Sequence, residues 1–88
     1  MVTKILKFSA EWCGPCKALK QNLKSIDFPI EEIDVQENEE LTAKYGIRNI
    51  PTLIYLDENG KVLHRSVGLV TKDAVLAKID ELNEASGD

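Results

Sequence analysis

The sequence predicts an α/β fold: a mixed four-stranded sheet in the element order β-α-β-α-β-β-α, with helices on both faces. Two observations support this prediction. Segments rich in strand-forming residues alternate with segments whose apolar residues recur at helical spacing, so the first two strands, joined by a helix, should be parallel. The last two strands are separated only by a turn sequence, so they should form an antiparallel hairpin.

The first half of the chain is predicted to hold two strands and two helices. Val2 to Phe8 is rich in strand formers and indicates a buried strand. Apolar residues recur every three or four positions from Cys13 to about Ile26, which predicts a helix. Ile30 to Val35 is predicted as the second strand. Asn38 is then expected to cap a second helix, and Gly46 follows its end.

The second half is predicted to hold the hairpin and a last helix. Thr52 to Leu56 indicates a strand, and Asp57 to Gly60 is a hairpin turn signal. Lys61 to Val67 is the partner strand. Thr71 is placed to cap a helix with one apolar face, and Glu84 to Asp88 is expected to be a frayed tail.

Length and composition indicate one domain over residues 1–88 and narrow the function classes. The chain has 88 residues, 43% of them hydrophobic, and a net charge of −4. The charge excludes a basic footprint for nucleic acid. No apolar run suggests a signal peptide or a membrane span, so no membrane partner is expected. There are only two cysteines, which favours a reducing, cytoplasmic compartment and a chemical role for both.

Both cysteines lie in the segment Trp12-Cys13-Gly14-Pro15-Cys16-Lys17, at the start of a predicted helix. A thiolate at a helix N-terminus is stabilised by unpaired backbone N–H groups and by the helix dipole, which lowers its pKa. Cys13 is therefore expected to be a nucleophile near neutral pH. Cys16 lies one turn further on, within reach of a disulfide. Two cysteines at this spacing, beside a βαβ pattern, indicate a redox-active pair.

Three segments of the chain resemble thioredoxins. Ala10 to Lys17 matches the family's active-site stretch, and Tyr45 to Thr52 matches a second family segment except at Asn49, a position that varies in the family. The segment from Asn59 to Gly68 fits the family's terminal hairpin and its glycine. The resemblance covers nearly the whole chain. The family's usual N-terminal strand and helix are missing, so the chain looks like a minimal thioredoxin.

The resemblance implies roles for particular residues. Cys13 would be the attacking thiol and Cys16 the resolving thiol. Pro51 would be a cis-proline facing the dithiol, so that the backbone of Ile50 pairs with an extended substrate chain. A flat apolar surface around the exposed sulfur would bind the substrate, formed by Trp12, Gly14, Pro15, Ile50, Pro51, Val67, Gly68 and Leu69. The alternatives are that Trp12 is a core residue and that Gly68 only forms a bulge.

The resemblance also implies an activity and partners. The chain would reduce protein disulfides by thiol–disulfide exchange, serving electron transport and cell redox homeostasis without a cofactor of its own. A thioredoxin reductase, either an NADPH-dependent flavin enzyme or a ferredoxin-linked one, would re-reduce it. Its substrates would be disulfide-containing proteins, of which ribonucleotide reductase and peroxiredoxin are examples.

Two positions depart from the family's pattern. Thioredoxins usually carry a buried aspartate six residues before the first cysteine, where this chain has Lys7. They often carry a lysine on the neighbouring strand, where alignment through Asp34 and Gly46 places Glu32. The polarity of a buried pair would then be exchanged, and both residues would modulate the dithiol. The alternative is that Lys7 extends its ammonium group to solvent.

Three other functions compete with this interpretation. A zinc site from Cys13, Cys16 and His64 would have only three ligands, whereas structural zinc usually has four. A binding module without redox activity would not need two intact cysteines. A glutathione-linked glutaredoxin typically carries Pro-Tyr between its cysteines, not Gly14-Pro15. The sequence therefore favours a disulfide reductase without a metal.

Overall fold

The computed structural model of the chain describes residues 1–85, and these fold into a four-stranded sheet with three helices. The elements follow the predicted order: β1 Val2–Ser9, α1 Gly14–Asn22, β2 Ile30–Asp34, α2 Glu39–Lys44, β3 Thr52–Asp57, β4 Val62–Val67 and α3 Lys72–Ala85. The strand order across the sheet is β2-β1-β3-β4. Strand β1 is parallel to β2 and antiparallel to β3, and β3 and β4 form the antiparallel hairpin. The predicted fold class is confirmed.

Helices cover both faces of the sheet, as predicted. Successive strand residues point to opposite faces, so each face builds its own core. On one face, β1 and β3 pack against α1 and α3; the buried residues there are Val2, Ile5, Leu19, Leu23, Leu53, Tyr55, Val75 and Ile79. On the other face, next to α2, they are Leu6, Phe8, Ile33, Ile54 and Leu56. Each fully buried large apolar side chain contributes about 1.5–3 kcal/mol.

Helix α1 is shorter than the sequence predicts. The predicted helix reaches about Ile26. In the structure the last helical residue is Asn22, and Leu23 is the C-cap. The chain then turns, with the Ile26 N–H donating to the Leu23 carbonyl at 3.1 Å. Leu23 and Ile26 still pack in the core beside α1. The apolar spacing therefore continues past the point where the helical hydrogen bonds stop.

Smaller differences occur at other element ends. Asn38 precedes α2, but its side chain does not cap the helix and instead donates to the Asp34 carbonyl at 3.0 Å. The Thr71 hydroxyl does cap α3, accepting from the Ala74 N–H at 3.1 Å. Helix α3 continues through Ala85, so the start of the predicted tail is helical, while positions 86–88 lie outside the described residues. Within residues 1–85, every helix is too short or too polar to span a bilayer.

Candidate active site

The two cysteines lie at the N-terminus of α1 and form a disulfide, with their Cα atoms 5.2 Å apart. Cys13 is the N-cap, with extended backbone angles, and Pro15 lies in the first turn, where its missing N–H is tolerated. The Cys16 N–H donates to Cys13 Sγ at 3.1 Å. A sulfur therefore occupies the capping position that a serine or aspartate oxygen usually takes.

In this disulfide form both cysteines are buried. Cys13 is 4% exposed and Cys16 is 5% exposed. They pack with Ala10, and partly buried Val35 and Ile50 lie against them. The expected exposed sulfur is therefore not seen, because both cysteines pack against these neighbours. Exposure here does not distinguish an attacking cysteine from a resolving one.

The segment that ends at Pro51 lies against the disulfide. The Ile50–Pro51 peptide bond is cis, and the Ile50 carbonyl oxygen lies 4.0 Å from Cys13 Sγ. The Gly68 N–H donates to the Pro51 carbonyl at 2.9 Å, which attaches the segment to the end of β4. Gly68 has a φ of +97°, a conformation strained for other residues and compatible with a bulge. The structure thus brings Cys13, Ile50, Pro51 and Gly68 together.

The predicted apolar surface is exposed in part. Trp12 is 67% exposed, so the alternative that it is a core residue is wrong. Val67 and Leu69 are also exposed, as are Gly14 and Pro15. Ile50 is partly exposed, whereas Pro51 is fully buried. A substrate on this face would therefore contact the backbone around Pro51 more than the proline ring.

Lys7 and Glu32 are cross-strand partners in the parallel β1–β2 pair. Lys7 Nζ lies 3.9 Å from Glu32 Oε1, and the Lys7 side chain is only 8% exposed, which contradicts the alternative that Lys7 reaches solvent. The same carboxylate oxygen accepts a hydrogen bond from the Ser9 hydroxyl at 3.1 Å. Burial lowers the pKa of Lys7; Glu32 opposes this shift, and Lys20 adds to it.

A cleft of about 740 Å³ extends from Ser9 and Glu32 to Cys16. Cys16, Ser9 and Glu32 all line it, together with Lys17, Lys20 and Asp34. Sequence reasoning identified Lys7 and Glu32 but missed Ser9 and Lys20. Ser9 could have been found, because it lies two positions after Lys7 on one strand and therefore points to the same face.

In the part of the chain that the structure describes, the three ligands of the zinc alternative do not form one cluster. His64 is on β4, where its ring packs edge-on against Tyr55, with the ring centroids 5.2 Å apart. It does not join the two cysteines. Among residues 1–85, no three His, Cys, Asp or Glu side chains are close enough together to hold a metal ion.

In comparisons with known proteins, the chain matches thioredoxins. The Thioredoxin family model matches residues 2–81. Thioredoxin from Bacillus subtilis is 43% identical over 74 residues, which cover 77% of this chain and 70% of that protein. Thioredoxin from Chlorobaculum thiosulfatiphilum is 36% identical over 83 residues, or 88% of this chain and 76% of that protein.

Solved thioredoxin structures are similar to this chain in fold as well as in sequence. The N21Q mutant thioredoxin from Halobacterium salinarum NRC-1 superposes with a TM-score of 0.79 at 34% identity, covering 90% of this chain and 73% of that one. Thioredoxin-2, described as a component of malaria parasite protein secretion machinery, gives a TM-score of 0.80 at 26% identity, with 89% and 81% covered. With its Cys13–Cys16 pair at the head of α1, the chain belongs to the thioredoxin family and is a thiol–disulfide oxidoreductase.

Proposed function

We propose that Cys13 attacks the disulfides of substrate proteins and that Cys16 resolves the mixed disulfide. The hydrogen bond from the Cys16 N–H to Cys13 Sγ, 3.1 Å long, carries this assignment. After reduction the same N–H faces a Cys13 thiolate at the positive end of α1, where negative charge is favoured. Cys16 lies inside the helix and has no such capping position.

The reaction is a two-electron exchange in two steps. The Cys13 thiolate attacks one substrate sulfur, the substrate S–S bond breaks, and the other substrate sulfur leaves as a thiolate and takes up a proton. Cys16 then loses its proton and attacks Cys13 Sγ. This breaks the mixed disulfide and releases the second substrate thiolate, which is protonated in turn. The substrate is reduced and the Cys13–Cys16 disulfide forms.

Substrate would dock on the face around the disulfide. The Ile50 carbonyl, 4.0 Å from Cys13 Sγ, is placed to accept a hydrogen bond from an extended substrate chain. Exposed apolar groups beside it would bury substrate side chains. The docking surface we propose consists of Trp12, Gly14, Pro15, Ile50, Pro51 and Gly68, with Val67 and Leu69 at its margin.

Lys7 and Glu32 would modulate the resolving cysteine. The cleft that Cys16 lines is also lined by Glu32, and Lys7 forms an ion pair with Glu32. A cation near Cys16 favours its thiolate, and a carboxylate opposes it. The balance between these two charges would therefore set how readily Cys16 gives up its proton.

The proposed partners are a thioredoxin reductase and disulfide-containing proteins such as ribonucleotide reductase or peroxiredoxin, in the cytoplasm. Family membership supports a reductase and disulfide substrates in general. The direct test mixes the protein with NADPH, an NADPH-dependent thioredoxin reductase and insulin, and follows NADPH consumption. We expect turnover by the wild type and none by the double variant Cys13→Ser, Cys16→Ser. Turnover only with glutathione and glutathione reductase would instead indicate a glutaredoxin.

A further inference from the structure

The side chain of Arg65 joins the edge strand β4 to the end of helix α2. Arg65 pairs with Ile54 in the β3–β4 ladder, so the two side chains share a face of the sheet. Ile54 belongs to the core next to α2, as does Tyr45. From this face the Arg65 guanidinium donates from Nη2 to the Tyr45 carbonyl and from Nη1 to the Gly46 carbonyl, the latter at 3.3 Å.

One of these two carbonyls, that of the C-cap Tyr45, is a group that a helix leaves unpaired. The last carbonyls of a helix have no partner within it, and they carry the negative end of its dipole. Helix α2 spans only six residues, Glu39–Lys44, with Tyr45 as its C-cap. So short a helix depends on contacts from outside. The planar fork of an arginine suits two adjacent carbonyl oxygens, and its charge is permanent.

The two carbonyls lie where the chain leaves α2 for the disulfide. Gly46 has a φ of +63°, and residues 47–50 follow it to Pro51. At the far end of this segment the Gly68 N–H binds the Pro51 carbonyl. Arg65 is on β4 and Gly68 directly follows β4, so one strand anchors the segment at both ends. Between the anchors, the Ile50 carbonyl faces Cys13 Sγ.

We propose that Arg65 is a positioning residue for substrate docking, because it holds the segment 47–50 that presents the Ile50 backbone to the substrate. The proposal rests on the proposed function, in which that backbone receives an extended chain. Arg65 does not touch the reacting sulfurs. Its loss should therefore weaken the binding of a protein substrate and leave the exchange chemistry of the dithiol intact.

The test compares a substrate that docks with one that does not. Arg65→Met keeps the aliphatic stem and removes the donors, and Arg65→Lys keeps the charge but loses the fork. Lys61→Met, on the same hairpin, is the control for losing one positive charge. For insulin we expect KM to rise by about three- to tenfold in Arg65→Met and by less in Arg65→Lys. The rate with hydroxyethyl disulfide, too small to use the docking surface, should be unchanged.

Hydrogen exchange gives a readout that does not depend on activity. The Ile47 N–H, bonded to the Thr42 carbonyl at 3.0 Å, should exchange faster in Arg65→Met than in Lys61→Met. An unchanged KM for insulin, or equal losses with both substrates, would overturn the role of Arg65. If Arg65→Met does not fold, a wild-type KM in Arg65→Lys overturns it. A wild type inactive on insulin would refute the proposed function instead, whatever the exchange rates show.

Discussion

Lys7 and Glu32 form an ion pair in which one partner is buried and the other is half in water. Their nearest charged atoms are 3.9 Å apart, and the side chains are 8% and 51% exposed. This difference in exposure follows from the strand order, because β1 is an inner strand and β2 is an edge strand. Water can solvate Glu32 if Lys7 is removed, but it cannot readily solvate Lys7 if Glu32 is removed.

The two single substitutions should therefore differ in cost. Glu32→Gln leaves a buried ammonium group without its charged partner, and we expect a loss of about 1–3 kcal/mol in the free energy of unfolding. Lys7→Met replaces the buried charge with an apolar chain of similar length and should cost less than about 1 kcal/mol. The double variant should resemble Lys7→Met, since no lone buried charge remains. Urea unfolding measures the free energy of unfolding of all three variants. If the loss in the double variant equals the sum of the two single losses, Lys7 and Glu32 do not interact.

The pH dependence of stability should also report on Lys7. Its pKa is lowered from 10.5 in the folded state, first because of burial. Between the two pKa values the unfolded chain binds more protons, so the free energy of unfolding should rise with pH until it levels off above 10.5. We expect this rise in the wild type relative to Lys7→Met. Lys4→Met is the matched control: Lys4 also pairs from β1 to β2, with Glu31, but is exposed. We therefore compare the wild type with Lys7→Met and, separately, with Lys4→Met. If the difference in unfolding free energy changes with pH equally in both comparisons, the prediction is wrong.

The sequence predicted the fold class well because its signals are local. Strand composition, helical spacing and the turn at Asp57 to Gly60 each depend on a few neighbouring residues. The resemblance to thioredoxins likewise located Cys13, Cys16 and Pro51 from contiguous motifs. The end of α1 was misplaced because Leu23 and Ile26 face the core from a turn, and apolar spacing alone does not reveal that.

The parts that were not predicted depend on three-dimensional placement. Arg65 meets the carbonyls of residues about 20 positions away, which follows from the register of β4 and not from any motif. Glu32 was located by alignment, but its half exposure depends on the order of strands across the sheet. The burial of both cysteines depends on their packing with Ala10, Val35 and Ile50, residues distant in sequence from one or both of them.

Replacing Lys7 with an acid should change the chemistry of the dithiol. Lys7→Asp places a carboxylate next to Glu32, which lines the same cleft as Cys16, and added negative charge disfavours a thiolate. We expect the apparent pKa of the reduced pair to rise and the rate of insulin reduction near neutral pH to fall. Lys7→Met should show a smaller shift in the same direction. A pH–rate profile identical to that of the wild type would show that Lys7 does not act on Cys16.

Cys13 should be the first cysteine to react with an alkylating agent once the disulfide is reduced. In the disulfide, Cys13 Sγ at the capping position accepts the Cys16 N–H, and the same contact would stabilise a Cys13 thiolate after reduction. With limiting iodoacetamide at neutral pH we expect Cys13 to be labelled about tenfold faster than Cys16, as quantified by peptide mass spectrometry. Preferential labelling of Cys16 would reverse the assignment of attacking and resolving thiols.

Cys16→Ser should trap substrates on Cys13. The first exchange step needs only the Cys13 thiolate, whereas release of the mixed disulfide needs a second thiol, and the chain has no third cysteine. The substituted hydroxyl does not attack a disulfide under these conditions, so the intermediate should persist. Non-reducing gels of the variant mixed with insulin should show a conjugate that dithiothreitol removes, while Cys13→Ser forms none.

Because a serine hydroxyl leaves the backbone N–H of residue 16 in place, Cys13 should keep its cap and react in the first step at nearly the wild-type rate. Multiple turnover by Cys16→Ser at the wild-type rate would show that resolution does not depend on Cys16.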